Sequence, residues 1–393
     1  MLDIVMVPFH DYKKWLSEGF RTRDAHVFEH LSKEKCIRKI LVIDRPTSIA
    51  EILLNRKKWN NSGGIIEYKR NNVQLLKIKN NIWCLDFLLL DFLKVAKQKK
   101  MWWFTAFNYE FVSNAINEAI SFLNMKGSIL LLQNPMAIGV TKTCNCKYFV
   151  FDAIDNWIYH PQMPDKKLIQ NNYEYINQNA DLIITVSKAL LGMFPKNKNL
   201  HWIPNGVDVN YFYSAVKQIP TSNKVVGYVG KIQDRVDFDL VEDCLKRFKN
   251  TQFVFLGPIY TQREKVRYLS KYYDNVAFKG DIHYSRLPDE MKKFDVAIIP
   301  HKVDLFTNSM NPIKLYEYLA AGKPVVTTDV AGTSSISPYV KIAKDSADFI
   351  IKLNDLLKEQ INSKDVIDSI PDECTWDNRV KNMIELMNKL TSC

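Results

Sequence analysis

Asn311-Pro312-Ile313-Lys314-Leu315-Tyr316-Glu317-Tyr318-Leu319-Ala320-Ala321-Gly322-Lys323-Pro324-Val325-Val326 is the most informative stretch of this 393-residue chain. It reads as a loop that turns into a helix at or just after Pro312, since proline suits a first helical position. Gly322 stops the helix. Pro324–Thr327 is then a short, nearly all apolar strand of the kind that a sheet covered on both faces requires.

The same unit recurs outward in both directions. Strands are predicted at Asp3–Val7, Lys39–Ile43, Ile129–Gln133, Tyr148–Phe151 and Leu182–Val186, then at Val225–Val229, Gln252–Leu256, Val276–Phe278 and Val296–Ile299. Helical periodicity falls between them, at Arg23–Leu31, Leu168–Gln178 and Asp239–Phe248 among others. Such alternation implies parallel, doubly wound sheets. The length calls for two domains. The turn signal Asn205-Gly206 and the pattern-poor stretch around Pro220 put the break near there. The expected division is a first Rossmann-like domain at 1–212, a linker at 213–223, a second domain at 224–375 and a terminal helix at 376–393 that packs back on the first domain. Ligands of open α/β sheets sit at the carboxyl ends of the strands, so a cleft between facing domains is expected.

Composition narrows the function classes. Hydrophobic residues make up 47% and charged residues 25%, as in ordinary globular proteins. The most apolar run, Leu85–Val95, is broken by Asp86, Asp91 and Lys94, which argues against a membrane span. The N-terminus reads as a strand and not a signal peptide, so a cytoplasmic protein is expected. The seven cysteines include no CxxC pair, and Cys144-Asn145-Cys146 stands alone; free thiols are expected. Missing G-x-G-x-x-G and G-x-x-x-x-G-K-[ST] patterns count against nicotinamide enzymes and P-loop ATPases. The net charge of +11 lies mostly in residues 1–210, which hold 28 Lys+Arg against 19 Asp+Glu. Nucleic acid, an anionic membrane or a phosphorylated acceptor would suit such a field, as would a plain solvated surface. In Lys94–Phe104, lysines precede Trp102, Trp103 and Phe104, which fits either a bilayer interface or a basic helix end followed by a buried aromatic segment.

Several residues are candidates for chemistry. The helix start near Pro312 offers free N–H groups and a positive dipole end to a diphosphate. Glu317, one turn further on, could grip ribose hydroxyls or simply face solvent. Gly230 ends a strand and permits close backbone approach. Lys231 and Arg235 follow it, and such cations can neutralise a departing diphosphate. Gly19, with Arg21, Arg23 and His26 nearby, lies between the first strand and the first helix. Asp152 and Asp155 follow a buried strand and are either acceptor-side carboxylates or helix caps.

Taken in order, Ala180–Ser187, Ile203–Asp208, Phe278–Pro300 and Asn311–Val326 resemble the retaining GT-B glycosyltransferases of family 4. Phe151–Trp157 is similar to a signature of bacterial cell-surface-polysaccharide transferases, teichuronic-acid enzymes included. The resemblance implies an α/β GT-B fold and a hexosyltransferase with a UDP or GDP donor, retention of configuration and a glycan or lipid-linked acceptor. It implies no cofactor and no metal, no nucleic-acid partner, and a cytoplasmic location that includes peripheral attachment to the inner membrane face. Donor contacts fall on Gly19, Gly230, Ser309, Asn311, Pro312, Ile313, Lys314, Leu315 and Glu317. Catalytic roles fall on Asp155, Lys231 and Arg235, and acceptor-side roles on Arg21, Arg23 and Asp152. The family's Glu-x7-Glu pair is broken here: Glu317 matches its second member, and Ser309 stands at the first, with Asp304 near. That departure keeps two other readings open, a basic binding protein on the same scaffold and a nucleotide-sugar epimerase.

Overall fold

The computed structural model describes residues 1–393 except 55–58, 60–62, 99–100, 162, 164, 217–222, 331–335 and 393, and leaves out the side chains of 103 and 104. The chain forms two compact units, residues 1–203 with 380–393, and residues 204–379. The division falls at Ile203, ahead of the expected boundary, because Phe212 and Ala215 are buried in the second unit's core. Of the expected linker, 217–222 lies outside the described residues, while Tyr213–Ala215 is a helical turn. The final helix, Trp376–Ser392, is divided, since residues from Val380 on belong to the first unit.

In the first unit, parallel strands run in the order Leu200–Trp202, Leu182–Thr185, Tyr148–Ala153, Ile129–Leu132, Leu2–Val7, Ile37–Ile43 and Ile82–Leu89. Leu2–Val7 and Ile129–Leu132 are buried throughout, as sheets covered on both faces demand. Val73–Lys79 and Ile65–Arg70 then extend the sheet antiparallel. This meander was not anticipated. Its outer strand is largely exposed and carries Glu67, Lys69 and Arg70, so no apolar run betrays it. Leu85–Val95 likewise proves to be two elements, the end of strand Ile82–Leu89 and the helix Phe92–Gln98.

The second unit has six parallel strands in the order Val276–Phe278, Gln252–Leu256, Val225–Val229, Val296–Ile299, Val325–Thr328 and Val340–Ala343. Numbered along the chain this is 3-2-1-4-5-6, and the direction of winding reverses between Val225–Val229 and Val296–Ile299. Loops leaving such a switch point diverge and open a crevice. Here they are residues 230–237 and 300–312. Among the described residues, no helix is long and apolar enough to cross a membrane.

Candidate functional site

The crevice of the second unit begins at Gly230 (φ 150°). A Cβ on Gly230 would lie 2.7 Å from Lys314 Cε and 3.1 Å from its Nζ, so the lysine lies directly across this glycine. Gly257 packs from another side: a Cβ there would meet the Gly230 carbonyl oxygen at 2.0 Å. The loop is then tied down by its backbone. Ile232 N–H donates to Pro258 O, Lys302 N–H to Arg235 O and Asp237 N–H to Pro300 O. These bonds bring 230–237 alongside 300–302.

Arg235 extends toward Met310, with Nη1 3.9 Å from its sulfur. Lys231 holds its ammonium over the Tyr260 ring, 5.6 Å from the centroid. His301 is buried, with Nε2 3.2 Å from the Tyr228 hydroxyl. Burial first, then the Arg235 and Lys314 cations, hold its imidazole well below the usual range, so it is neutral at pH 7. Two cations thus converge on one uncharged ring at the switch point.

The helix Ile313–Ala320 starts at the same crevice, and Pro312 at its N-cap provides no side-chain cap. Its approach is fixed by a pair of asparagines. Asn205 N–H donates to Asn311 Oδ1 (2.8 Å), Asn205 Nδ2 donates to Asn311 O (2.6 Å), and Asn311 Nδ2 donates to the Tyr316 hydroxyl (3.1 Å). Tyr318 anchors the helix to the sheet by accepting from Val229 N–H at 2.6 Å. Glu317 is buried on the second turn and accepts from the Tyr284 hydroxyl at 2.9 Å. Tyr284 in turn stacks on Tyr211, centroids 5.1 Å apart.

Gly230, Arg235, Asn311, Pro312, Lys314 and Glu317 are therefore organised by one set of loops and one helix. Ile313 is half-buried at the helix start. Leu315 is different. Its side chain is wholly buried in the hydrophobic core and its N–H already donates to Pro312 O, so it shapes the helix and offers a ligand nothing. Ser309 is buried with Oγ donating to Phe306 O at 2.7 Å. Asp304 spends Oδ1 on the amides of Phe306 and Thr307. Among the described residues no three potential metal ligands cluster.

In the first unit, Gly19 (φ 83°) ends the helix Tyr12–Glu18, a conformation that a side chain would strain. Buried Lys13 pins that helix to the sheet, with Nζ 2.5 Å from Asp86 and 3.1 Å from Thr47. Arg21 pairs with Glu18 at 3.0 Å. Arg23 and Asp152 are not open to a ligand as the sequence suggested. They form a buried ion pair, Nη2 to Oδ1 2.8 Å, with Gln133 donating to the other carboxylate oxygen. Asp155 is half-buried, and its carbonyl accepts from the Tyr173 hydroxyl. His26 is buried on its helix, and burial followed by His30 lowers its imidazole to about 3.

Sequence reasoning missed a second constellation here. His10 donates its backbone N–H to Asp24 (2.7 Å), with its ring Nδ1 3.2 Å from the same carboxylate oxygen. Burial opposes ionisation of Asp24, yet the His10 ring and amide and Thr22 hold its carboxyl below the usual range. Phe9 stacks on Trp157 at 3.9 Å. Phe9 and His10 follow the switch-point strand Leu2–Val7, and that position was the available signal.

Residues 223–359 match the family described as glycosyl transferases group 1. A Bacillus subtilis (strain 168) protein, TuaH, provisionally assigned as a teichuronic acid biosynthesis glycosyltransferase, is 30% identical over 188 residues. That match covers 44% of this chain and 47% of TuaH, so it spans about half of the relative's length. Sucrose-phosphate synthase from Thermosynechococcus elongatus superposes with a TM-score of 0.73 at 16% identity, over 100% of both chains. Anabaena HepE, solved with UDP and glucose, superposes at 0.66 and 14% identity, over 99% of this chain and 100% of that one. These likenesses show the fold, two Rossmann-like units of the GT-B kind.

Proposed function

We propose, from a GT-B fold whose second unit bears the group 1 glycosyltransferase signature, that this chain transfers a hexose from UDP or GDP to a glycan or lipid-linked acceptor. The setting is cell-surface polysaccharide synthesis, in line with the partial likeness to TuaH. The observation that carries this reading is the arrangement around one helix: buried Glu317 on its second turn, Lys314 across Gly230 at its start, and Arg235 beside them. The carboxylate suits a ribose diol, and the cations with the helix start suit a diphosphate.

In the proposed reaction the bond between the anomeric carbon and the phosphate oxygen breaks, and a bond to the acceptor oxygen forms on the same face. The acceptor proton passes to the leaving phosphate, so no strong protein base is needed. Lys231, Lys314 and Arg235 meet the charge that builds on the departing diphosphate, the part that a metal plays elsewhere. Asn311, Pro312 and Ile313 shape the donor end. Ser309 donates its proton to Phe306 O, so toward a sugar hydroxyl it acts as an acceptor. In the first unit Gly19 contributes to the donor contacts, Asp155 is the catalytic carboxylate and Arg21 belongs to the acceptor side.

Removing either Lys231 or Arg235 by alanine should lower turnover by roughly ten- to hundredfold and donor affinity much less, because the charge they meet is largest in the transition state. Radiolabelled sugar transfer at saturating donor, with and without EDTA, measures this. Full turnover by both variants would move the diphosphate elsewhere. Turnover abolished by EDTA would overturn metal independence. If UDP- and GDP-sugars bind but no sugar moves to any acceptor, the binding-protein reading takes over.

We further propose that the first unit rests on anionic membranes. Phe92 and Leu93 are 52% and 81% exposed on one short helix, with Lys94 and Lys97 exposed beside them. Leu53, at the end of the neighbouring helix Ile49–Leu53, and Leu54 just after it are exposed. Trp102 is buried against Leu89 and Ala106, so of the two readings of Lys94–Phe104 this aromatic follows the buried one. Lys99 and Lys100, and the side chains of Trp103 and Phe104, lie outside the described residues. Apolar tips flanked by lysines suit a bilayer interface, at about 1 kcal/mol per basic residue near the surface. The protein should pellet with phosphatidylglycerol vesicles at low salt, less at high salt, and less again as Leu93→Asp. Equal pelleting with neutral and anionic vesicles would refute the proposal.

A further inference from the structure

Cys144-Asn145-Cys146 is the one motif that neither candidate site absorbs. It links the helix Gly139–Thr143 to the strand Tyr148–Ala153, at the end away from Asp152 and Asp155. The two sulfurs lie 3.0 Å apart, and both thiols are half-buried, with Asn145 and Lys147 exposed around them. A single side chain sets this geometry. Asn117 donates through Nδ2 to Thr143 O (2.7 Å) and accepts from Asn145 N–H (2.8 Å), clamping the turn on both sides of Cys144. The Ser128 hydroxyl lies 3.4 Å from the Cys146 sulfur and donates to it.

We propose that Cys144 and Cys146 form a redox-active dithiol, a modification site that a small-molecule disulfide converts to an intramolecular disulfide. The asymmetry of the turn sets the order of events. Hydrogen bonds from Cys144 and Ser128 favour the thiolate of Cys146 and lower its pKa, whereas Cys144, acting as donor, is raised. The thiolate is the nucleophile in disulfide exchange. Cys146 attacks one sulfur of the oxidant RSSR, the RS–SR bond breaks, and RS⁻ leaves with its electron pair. Cys144 then loses its proton to solvent and attacks the Cys146 sulfur, expelling the second RS⁻. Two protein thiols are oxidised by two electrons, and one RSSR becomes two RSH once protons are counted.

The site is built for closure, since the sulfurs are in contact before any bond forms and only the short turn has to adjust. Cys36 is also half-buried but has no neighbouring thiol among the described residues, so it serves as the internal control.

The full-length protein, incubated with oxidised glutathione, quenched with N-ethylmaleimide and digested, gives the test. The peptide holding 144–146 should lose two hydrogens and carry no maleimide, while Cys36 is alkylated. Cys144→Ser should accumulate a glutathione adduct on Cys146 about tenfold faster than Cys146→Ser does on Cys144. Asn117→Ala, confirmed folded by circular dichroism, should slow ring closure and leave the mixed disulfide visible. If wild-type 144–146 stays alkylatable at the Cys36 rate, or if the two single variants form adducts equally, the proposal fails.

Discussion

Glu317→Ala is expected to weaken binding of UDP or GDP by roughly ten- to hundredfold in a protein that stays folded. A hydrogen bond to a charged group contributes about 1.5–3 kcal/mol, which corresponds to that range. The carboxylate is buried on a helix whose other contacts, Tyr318 to Val229 and Asn311 to Asn205, are made elsewhere, so its loss leaves the helix anchored. The Tyr284 hydroxyl loses an acceptor, and some stability goes with it. Glu317→Gln separates the two effects: it keeps an oxygen for Tyr284 and removes the charge offered to the ribose. Isothermal titration with each nucleotide decides the matter. Unchanged affinity in folded Glu317→Ala would show that the nucleotide lies elsewhere, and failure of the unmodified protein to bind either nucleotide would reject the donor class itself.

The largest stability effect should come from Asp152→Ala, which leaves the Arg23 guanidinium buried without its carboxylate. Breaking a buried ion pair from one side costs about 3–5 kcal/mol. Both side chains are almost fully enclosed, and Gln133 completes the network. Replacing both partners with apolar residues, Arg23→Met with Asp152→Leu, should recover most of the loss, because no uncompensated charge remains. Urea unfolding followed by tryptophan fluorescence measures each variant. A single variant within about 1 kcal/mol of wild type would return Asp152 to the acceptor role that its motif suggested.

Glu317 and Asp152 show where the sequence is transparent and where it is not. Val225–Val229, Val296–Ile299 and the helix bounded by Pro312 and Gly322 are legible because burial on both faces forces an apolar run and the ends need special backbone residues. Lys314 and Glu317 inherit that clarity, since a helix sets their spacing. Ile65–Arg70 is hidden because an edge strand facing water needs no apolar pattern, and its marks are the breaker dipeptides beside it, Gly63-Gly64 before and Asn71-Asn72 after. Long-range pairings are hidden for a different reason. Asn205 with Asn311 and Arg23 with Asp152 are joined only once the sheets wind, and nothing local distinguishes a buried, paired arginine from a solvated one. Asp152 thus reads as a ligand in the motif and is a structural partner in the fold.

The order in which the chain is made now gains a meaning. Residues 1–203 leave the ribosome before 204–379, but the first unit also owns the segment from Val380, with Val380, Met383, Ile384 and Met387 buried. Synthesis delivers domains from the N-terminus onward. This unit therefore stays incomplete while residues 204–379 are made. A gene fragment ending at Ile203 would encode a sheet that lacks the helix assigned to it. Supplying residues 376–393 as a separate peptide, or permuting the chain so that they precede Met1, would close the unit without the second one.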